Sequence, residues 1–182
     1  LHGGVPTGKQ HVEPLAKGIA RTGRAVLAID LLHYGERKTG LLETFMNPEK
    51  AERLYNQPSE YLAWITQTVK DVGRSYDFLV EERNADPKGV ALLGVSRGGQ
   101  VALIAGGAEV RLAGVAAIIA GHFDALETGH RAPACPANYI GRISPRPLLT
   151  MNGEFDADYD KERSVLPLHA LAGDPHEAHW TE

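Results

Sequence analysis

The chain has 182 residues, 43% of them hydrophobic, which suffices for one domain with a sizeable core. Its formal net charge is -4, and its basic residues are scattered rather than clustered, so the electrostatic footprint of a nucleic-acid binder is missing. Cys135 is the only cysteine, which excludes an internal disulfide and leaves a cytoplasmic setting as the default; no apolar run is long enough to span a bilayer, and the first residues lack the pattern of a signal peptide.

In chain order, Val12, Leu15, Ala16, Ile19 and Ala20 recur at three-and-four spacing and predict a helix over 9–21, closed by Thr22-Gly23. Ala25-Val26-Leu27-Ala28-Ile29 is apolar on both parities, as a buried parallel strand would be, and Asp30 stands at its end. Residues 31–58 are polar, interrupted by Pro48 and Pro58, and read as loop with short helical pieces. Beyond Pro58, the series Leu62, Ile65, Val69, Val72, Tyr76, Leu79 marks a long amphipathic helix to about Glu82, and Asp86-Pro87 turns out of it. Strands follow at 90–93, 115–119 and 148–151, with a helix starting over 100–105 and a loop or small cap over 122–146. A helix over 161–172 and a last strand over 178–181 complete the pattern. Strands alternating with helices predict one α/β domain with a doubly wound, mostly parallel sheet flanked by helices.

The strongest motif is Gly94-Val95-Ser96-Arg97-Gly98, which fits G-x-S-x-G and falls between a strand and a helix. A serine hydroxyl is a poor nucleophile unless it is held where a base can take its proton and a carbonyl can approach. A tight strand-to-helix turn provides that, with glycines where the two elements crowd. A glycine-rich turn that carries a serine by chance is the competing explanation for the pentapeptide alone.

Further segments accompany it: Leu1-His2-Gly3-Gly4, Ile29-Asp30 with Tyr34-Gly35-Glu36-Arg37, Asp71-Val72-Gly73-Arg74, Asp86-Pro87, and Ile143-Ser144-Pro145-Arg146-Pro147-Leu148-Leu149. On these the chain resembles the α/β-hydrolase superfamily, in its dienelactone-hydrolase-like and acetyl-esterase-like branches. The resemblance implies a partial α/β-hydrolase fold with Ser96 as nucleophile and an oxyanion hole formed by the backbone N–H groups of Gly4 and Arg97, Val5 being a neighbouring choice. It implies an acid after the seventh family strand, where Met151-Asn152-Gly153-Glu154-Phe155-Asp156 selects Asp156; Asp158 and Asp160 are close by and suit loop solvation or helix capping better. Asp124 is the alternative acid, and its neighbour His122 reads as a surface-loop histidine with a lesser claim to line a pocket.

The same resemblance places the catalytic histidine in a loop expected beyond Glu182, and one or more strands ahead of Leu1, whose absence would expose a sheet edge. The chain thus reads as a fragment that extends both ways. Within it, His179 is the choice for the base, although a strand over 178–181 would make it structural; His176 enters that strand from the wrong end. True dienelactone hydrolases use a cysteine, so the serine points to ordinary esters: a small-molecule ester substrate, an acyl-enzyme intermediate, no metal and no organic cofactor. Two rivals stand beside this. One is a hydrolase-fold binding module without activity. The other is a phosphate-binding loop in Gly3-Gly4-Val5-Pro6-Thr7-Gly8-Lys9, weakened by Gln10 where a Ser or Thr should follow the lysine.

Overall fold

Apolar runs flanked by glycine and proline form a four-stranded sheet in the computed structural model, which describes residues 1–50, 58–122 and 133–182. The strands β1 (Ala91–Val95), β2 (Gly114–Ile118), β3 (Leu148–Gly153) and β4 (His176–Thr181) stand in the order β1-β2-β3-β4, and all three pairings are parallel. Parallel pairing puts every strand's carboxyl end on one edge of the sheet, the usual place for ligands in open α/β sheets. One row of that edge reads Val95, Ile118, Met151, His179.

Helices α1 (Glu13–Ala20), α2 (Leu42–Met46) and α3 (Pro58–Asp77) precede the first strand, α4 (Arg97–Ala108) crosses from β1 to β2, and α5 (Leu166–His169) lies before β4. A 3-10 turn, Gly8–Val12, leads into α1, so the first predicted helix starts later as an α-helix than its apolar spacing indicates. A π-helical turn, Phe78–Glu82, continues α3 to the predicted end, and another, Lys161–Val165, leads into the short α5. Helix α4 is the centre of the packing. Every residue from Gly98 to Gly107 is buried, which its small residues permit, because their backbone can lie close to the sheet.

On one side of α4, Val101 and Ile104 meet an aromatic group formed by Tyr34, Phe45, Tyr61 and Trp64. Trp64 is 1% exposed and its indole N–H donates to the Leu32 carbonyl at 2.9 Å, so its one polar atom is satisfied inside the core. On the other, Ala102 and Leu103 pack with Val115, Ile140, Ile143, Leu148 and Leu168. Burying each such aliphatic side chain is worth about 1.5–3 kcal/mol. Ile140 and Ile143 belong to the part of the predicted 122–146 cap that is described, so that part is core rather than cover; residues 123–132 lie outside the described residues.

The apolar run 25–29 departs from expectation. It carries no strand and no ladder partner among the described residues, and Val26 and Leu27 are 41% and 38% exposed. It lines an apolar groove of about 830 Å³, in which Val26, Leu27 and Ile29 are joined by Leu92 and Leu93 of β1.

Candidate active site

Ser96 sits between β1 and α4 with φ 54 and ψ -119, a left-handed conformation costly for a residue with a side chain. Local bonds impose it: the Ser96 N–H donates to the Ile118 carbonyl at 2.7 Å, while its own carbonyl accepts from Gln100 N–H at 3.0 Å and starts the helix. The flanking glycines are steric necessities. A Cβ on Gly94 would collide with the Gly98 carbonyl and come within 2.8 Å of Gly99 N, and one on Gly98 would lie 2.7 Å from the Leu1 carbonyl oxygen.

That second contact shows that the residues 1–4 pack onto the serine turn. Leu1 bonds alongside β1 in the parallel pattern, its amine donating to Leu93 O and its carbonyl accepting from Val95 N–H at 3.1 Å. His2 is fully buried and fixes the next step. Its Nε2 accepts the Leu31 N–H at 2.9 Å, so the ring proton resides on Nδ1, which donates to the Gly3 carbonyl at 2.6 Å. Burial lowers the pKa of this ring, consistent with a neutral imidazole acting as both donor and acceptor. A Cβ on Gly3 would lie 3.6 Å from Ser96 Cβ, and one on Gly4 2.9 Å from Arg97 Nε. The Val5 N–H is taken by the Gly3 carbonyl at 2.8 Å, whereas Gly4 N–H has no partner among the described residues. Gly4 is therefore the better of the two oxyanion choices. The Arg97 N–H belongs to the first turn of α4, where amides point out of the helix end.

The loop that carries Asp156 leaves β3 at the same edge of the sheet. Asp156 Oδ1 accepts the N–H groups of Asp158 and Tyr159, each at 2.8 Å, and so shapes the loop from within. Asp160 caps the following turn through Arg163 N–H at 2.8 Å, and Asp158 is exposed. Both therefore have the solvating and capping character expected of them. The loop also buries a residue that the sequence reading passed over: Tyr159 is 3% exposed, and burial raises the pKa of its phenol. A tyrosine in an acidic loop has no motif to mark it.

Behind the serine, three successive carbonyls after β2 are each held by a buried side chain. Asn152 Nδ2 donates to Ala120 O at 3.0 Å, Gln100 Nε2 to Gly121 O at 2.8 Å, and Ser164 Oγ to His122 O. His122 is 1% exposed, which corrects its reading as a surface-loop histidine: the Ser164 bond draws its backbone inward. Asp124, the alternative acid, lies outside the described residues.

The structure does not bring His179 to the serine. It lies on β4, three strand spacings from Val95, which is roughly 14 Å across the sheet, and its Nε2 pairs with Glu177 at 2.6 Å. His176 opens β4 and bonds Thr150 Oγ1 at 2.9 Å. Lys9, the lysine of the phosphate-loop rival, pairs with Asp30 at 2.8 Å and Glu36 at 2.9 Å, so its charge is spent within the fold.

No protein-family model matches the sequence, and neither does any curated protein. Solved structures do resemble it. An α/β hydrolase from Penicillium sp. sh18 superposes with a TM-score of 0.70 at 14% identity, over 98% of this chain and 78% of that one. A protein from Thermus thermophilus gives 0.68 at 22% identity, over 100% and 77%. A structure of the metagenome-derived lipolytic enzymes LipS and LipT gives 0.63 at 18% identity, over 100% and 81%. The chain has the α/β-hydrolase fold, in the partial form expected from its motifs.

Proposed function

We propose that this chain carries the nucleophile, oxyanion hole and acid of a serine hydrolase that cleaves small carboxylic esters. The observation that carries the proposal is the serine turn: Ser96 is held at φ 54 at the carboxyl edge of the sheet, with residues 1–4 packed against it. Backbone strain of about 1–3 kcal/mol persists only where its surroundings enforce it, and such strain collects at functional sites. The description of one structural neighbour as lipolytic agrees with this reading.

In the proposed reaction Ser96 Oγ attacks the ester carbonyl carbon while its proton passes to a histidine. The N–H groups of Gly4 and Arg97 receive the negative oxygen of the tetrahedral intermediate, each donor worth about 3 kcal/mol. Collapse breaks the bond to the alcohol, which leaves with the proton from that histidine, and water then hydrolyses the acyl-enzyme by the same steps. Asp156 orients the imidazole. Thr181 O accepts the Glu154 N–H at 2.7 Å, so the end of β4 adjoins the acid loop, and a histidine carried by a loop leaving β4 enters beside Asp156.

The full-length protein should hydrolyse a small activated ester and be labelled by a fluorophosphonate, and Ser96→Ala should abolish both. Labelling that survives the substitution refutes the assignment. A full-length protein that neither hydrolyses esters nor takes the label supports the binding-module reading.

A further inference from the structure

The proposed oxyanion donor sits in the most pliable stretch of the site, because Gly3 and Gly4 have no side chains to restrict their backbone. Such a donor has to be aimed before charge develops beside it. The Gly4 N–H belongs to the same planar peptide as the Gly3 carbonyl, and the trans bond points the two in opposite directions. That carbonyl is held by His2 Nδ1 at 2.6 Å and by Val5 N–H at 2.8 Å. The peptide on the other side of Gly3 is held by a residue that the mechanism above does not use: the Gly3 N–H donates to His11 Nδ1 at 3.3 Å. The same imidazole stands beside the nucleophile. A Cβ on Gly3 would lie 3.1 Å from His11 Cε1 and 3.6 Å from Ser96 Cβ, so the ring and the serine side chain bound one narrow space.

On the reading of Ser96 as nucleophile and Gly4 as oxyanion donor, we propose that His11 is a positioning residue: its Nδ1 holds the Gly3 N–H, and together with His2 it fixes both peptides of Gly3, so that the Gly4 N–H is aimed before the substrate arrives. The backbone that carries His11 is anchored for this. It belongs to the 3-10 turn Gly8–Val12, in which Lys9 N–H donates to the buried Asp30 at 2.7 Å and Val12 is buried. An accepting Nδ1 puts the ring proton on Nε2, so the imidazole meets Gly3 with a lone pair. The two histidines divide the task. His2 is fully buried and serves the core as well as the turn, since its Nε2 accepts Leu31 N–H; His11 is exposed, where a substitution disturbs the fold little. Without the His11 bond one peptide of Gly3 is free to turn, and the donor must reorganise at each turnover. That penalty falls on the transition state rather than on substrate binding.

The test uses the full-length protein, a small activated ester and a fluorophosphonate, with three substitutions that differ in where they place an acceptor. His11→Asn puts its side-chain oxygen where Nδ1 stands, His11→Gln puts it further out, nearer the place of Nε2, and His11→Leu has none. His11→Leu and His11→Gln should lower kcat by about fivefold to tenfold, with KM changed less than about twofold, and should slow labelling of Ser96 in proportion. His11→Asn should recover the rate to within about twofold of the parent. A role in packing alone would not separate His11→Asn from His11→Gln, since both are polar and stand at an exposed position. Should His11→Leu fail to fold, that pair decides by itself. A His11→Leu protein within about twofold of the parent, or equal rates in His11→Asn and His11→Gln, overturns the proposal while Ser96→Ala remains inert. Labelling that persists in Ser96→Ala overturns the nucleophile and this role together.

Discussion

Gly98→Ala tests the packing of residues 1–4 on the serine turn, because it adds one methyl group at their seam. The new Cβ would lie 2.7 Å from the Leu1 carbonyl oxygen, 2.8 Å from the Leu1 carbonyl carbon, and closer still to His2 O, where ordinary contacts are 3.4–4 Å. All three neighbours are backbone atoms, so no flexible side chain can yield; the turn must retreat by on the order of 0.5–1 Å or α4 must tilt. Overpacking of this kind costs about 1–3 kcal/mol. In a domain of this size that lowers Tm by roughly 3–10 °C. On the proposed assignment of Gly4 to the oxyanion hole, withdrawal of the turn also moves its N–H from the oxyanion, a loss of up to about 3 kcal/mol or a hundredfold in rate. Thermal melts and fluorophosphonate labelling rates of the full-length protein measure the two effects separately. Gly18→Ala is the control: it lies in α1 with nothing within 4 Å of its Cβ, and it should stabilise the protein by about 0.5–1 kcal/mol. If Gly98→Ala melts within about 1 °C of the parent and labels at the parental rate, the turn is not seated on the serine as described.

Two further substitutions probe the charges that hold the frame. Asp30 is buried and accepts Lys9 N–H at 2.7 Å, Lys9 Nζ at 2.8 Å and Glu36 N–H at 3.2 Å; burial opposes its ionisation, but these donors prevail and hold the carboxyl below its ordinary 3.8. A depressed carboxylate contributes stability above that ordinary value and loses it as pH falls through the folded value, so urea unfolding should weaken below about pH 4. Asp30→Asn should cost about 3 kcal/mol at pH 7 and flatten that acid limb. His169 has the complementary behaviour: burial first, then the neighbouring His176, lowers it from 6.5 to about 4. Its unfolded form takes up a proton that the folded form refuses, so stability should decline between pH 6.5 and pH 4, by no more than about 2–3 kcal/mol because the ring is partly exposed. His169→Phe should reduce the slope in that window; an unchanged slope would show that His169 is not its source.

Legibility from sequence followed the physics of each feature. The four paired strands and α3 announce themselves because buried runs and helical spacing are periodic along the chain. Ser96 is legible for a related reason: the close approach of β1 and α4 demands glycines at fixed offsets, so steric need is written as a motif. The run 25–29 misleads because an apolar pattern specifies a wish for burial and not the partner that supplies it. Tyr159 and the burial of His122 are invisible for another cause. Each depends on contacts made in the folded chain, with Gly121 and with Ser164 respectively, and neither spacing nor composition encodes such a meeting. Asp156 is intermediate: its position after β3 is local, while its service to Tyr159 N–H emerges only in the folded loop.

The three clamped carbonyls after β2 have a consequence for how this protein can vary. Asn152, Gln100 and Ser164 reach Ala120, Gly121 and His122 from β3, α4 and the turn before α5, so the chain is anchored on three sides up to His122. Because each carbonyl is held from a different element, loss of one donor leaves the other two clamps in place, so a change at Asn152, Gln100 or Ser164 is borne singly better than in combination.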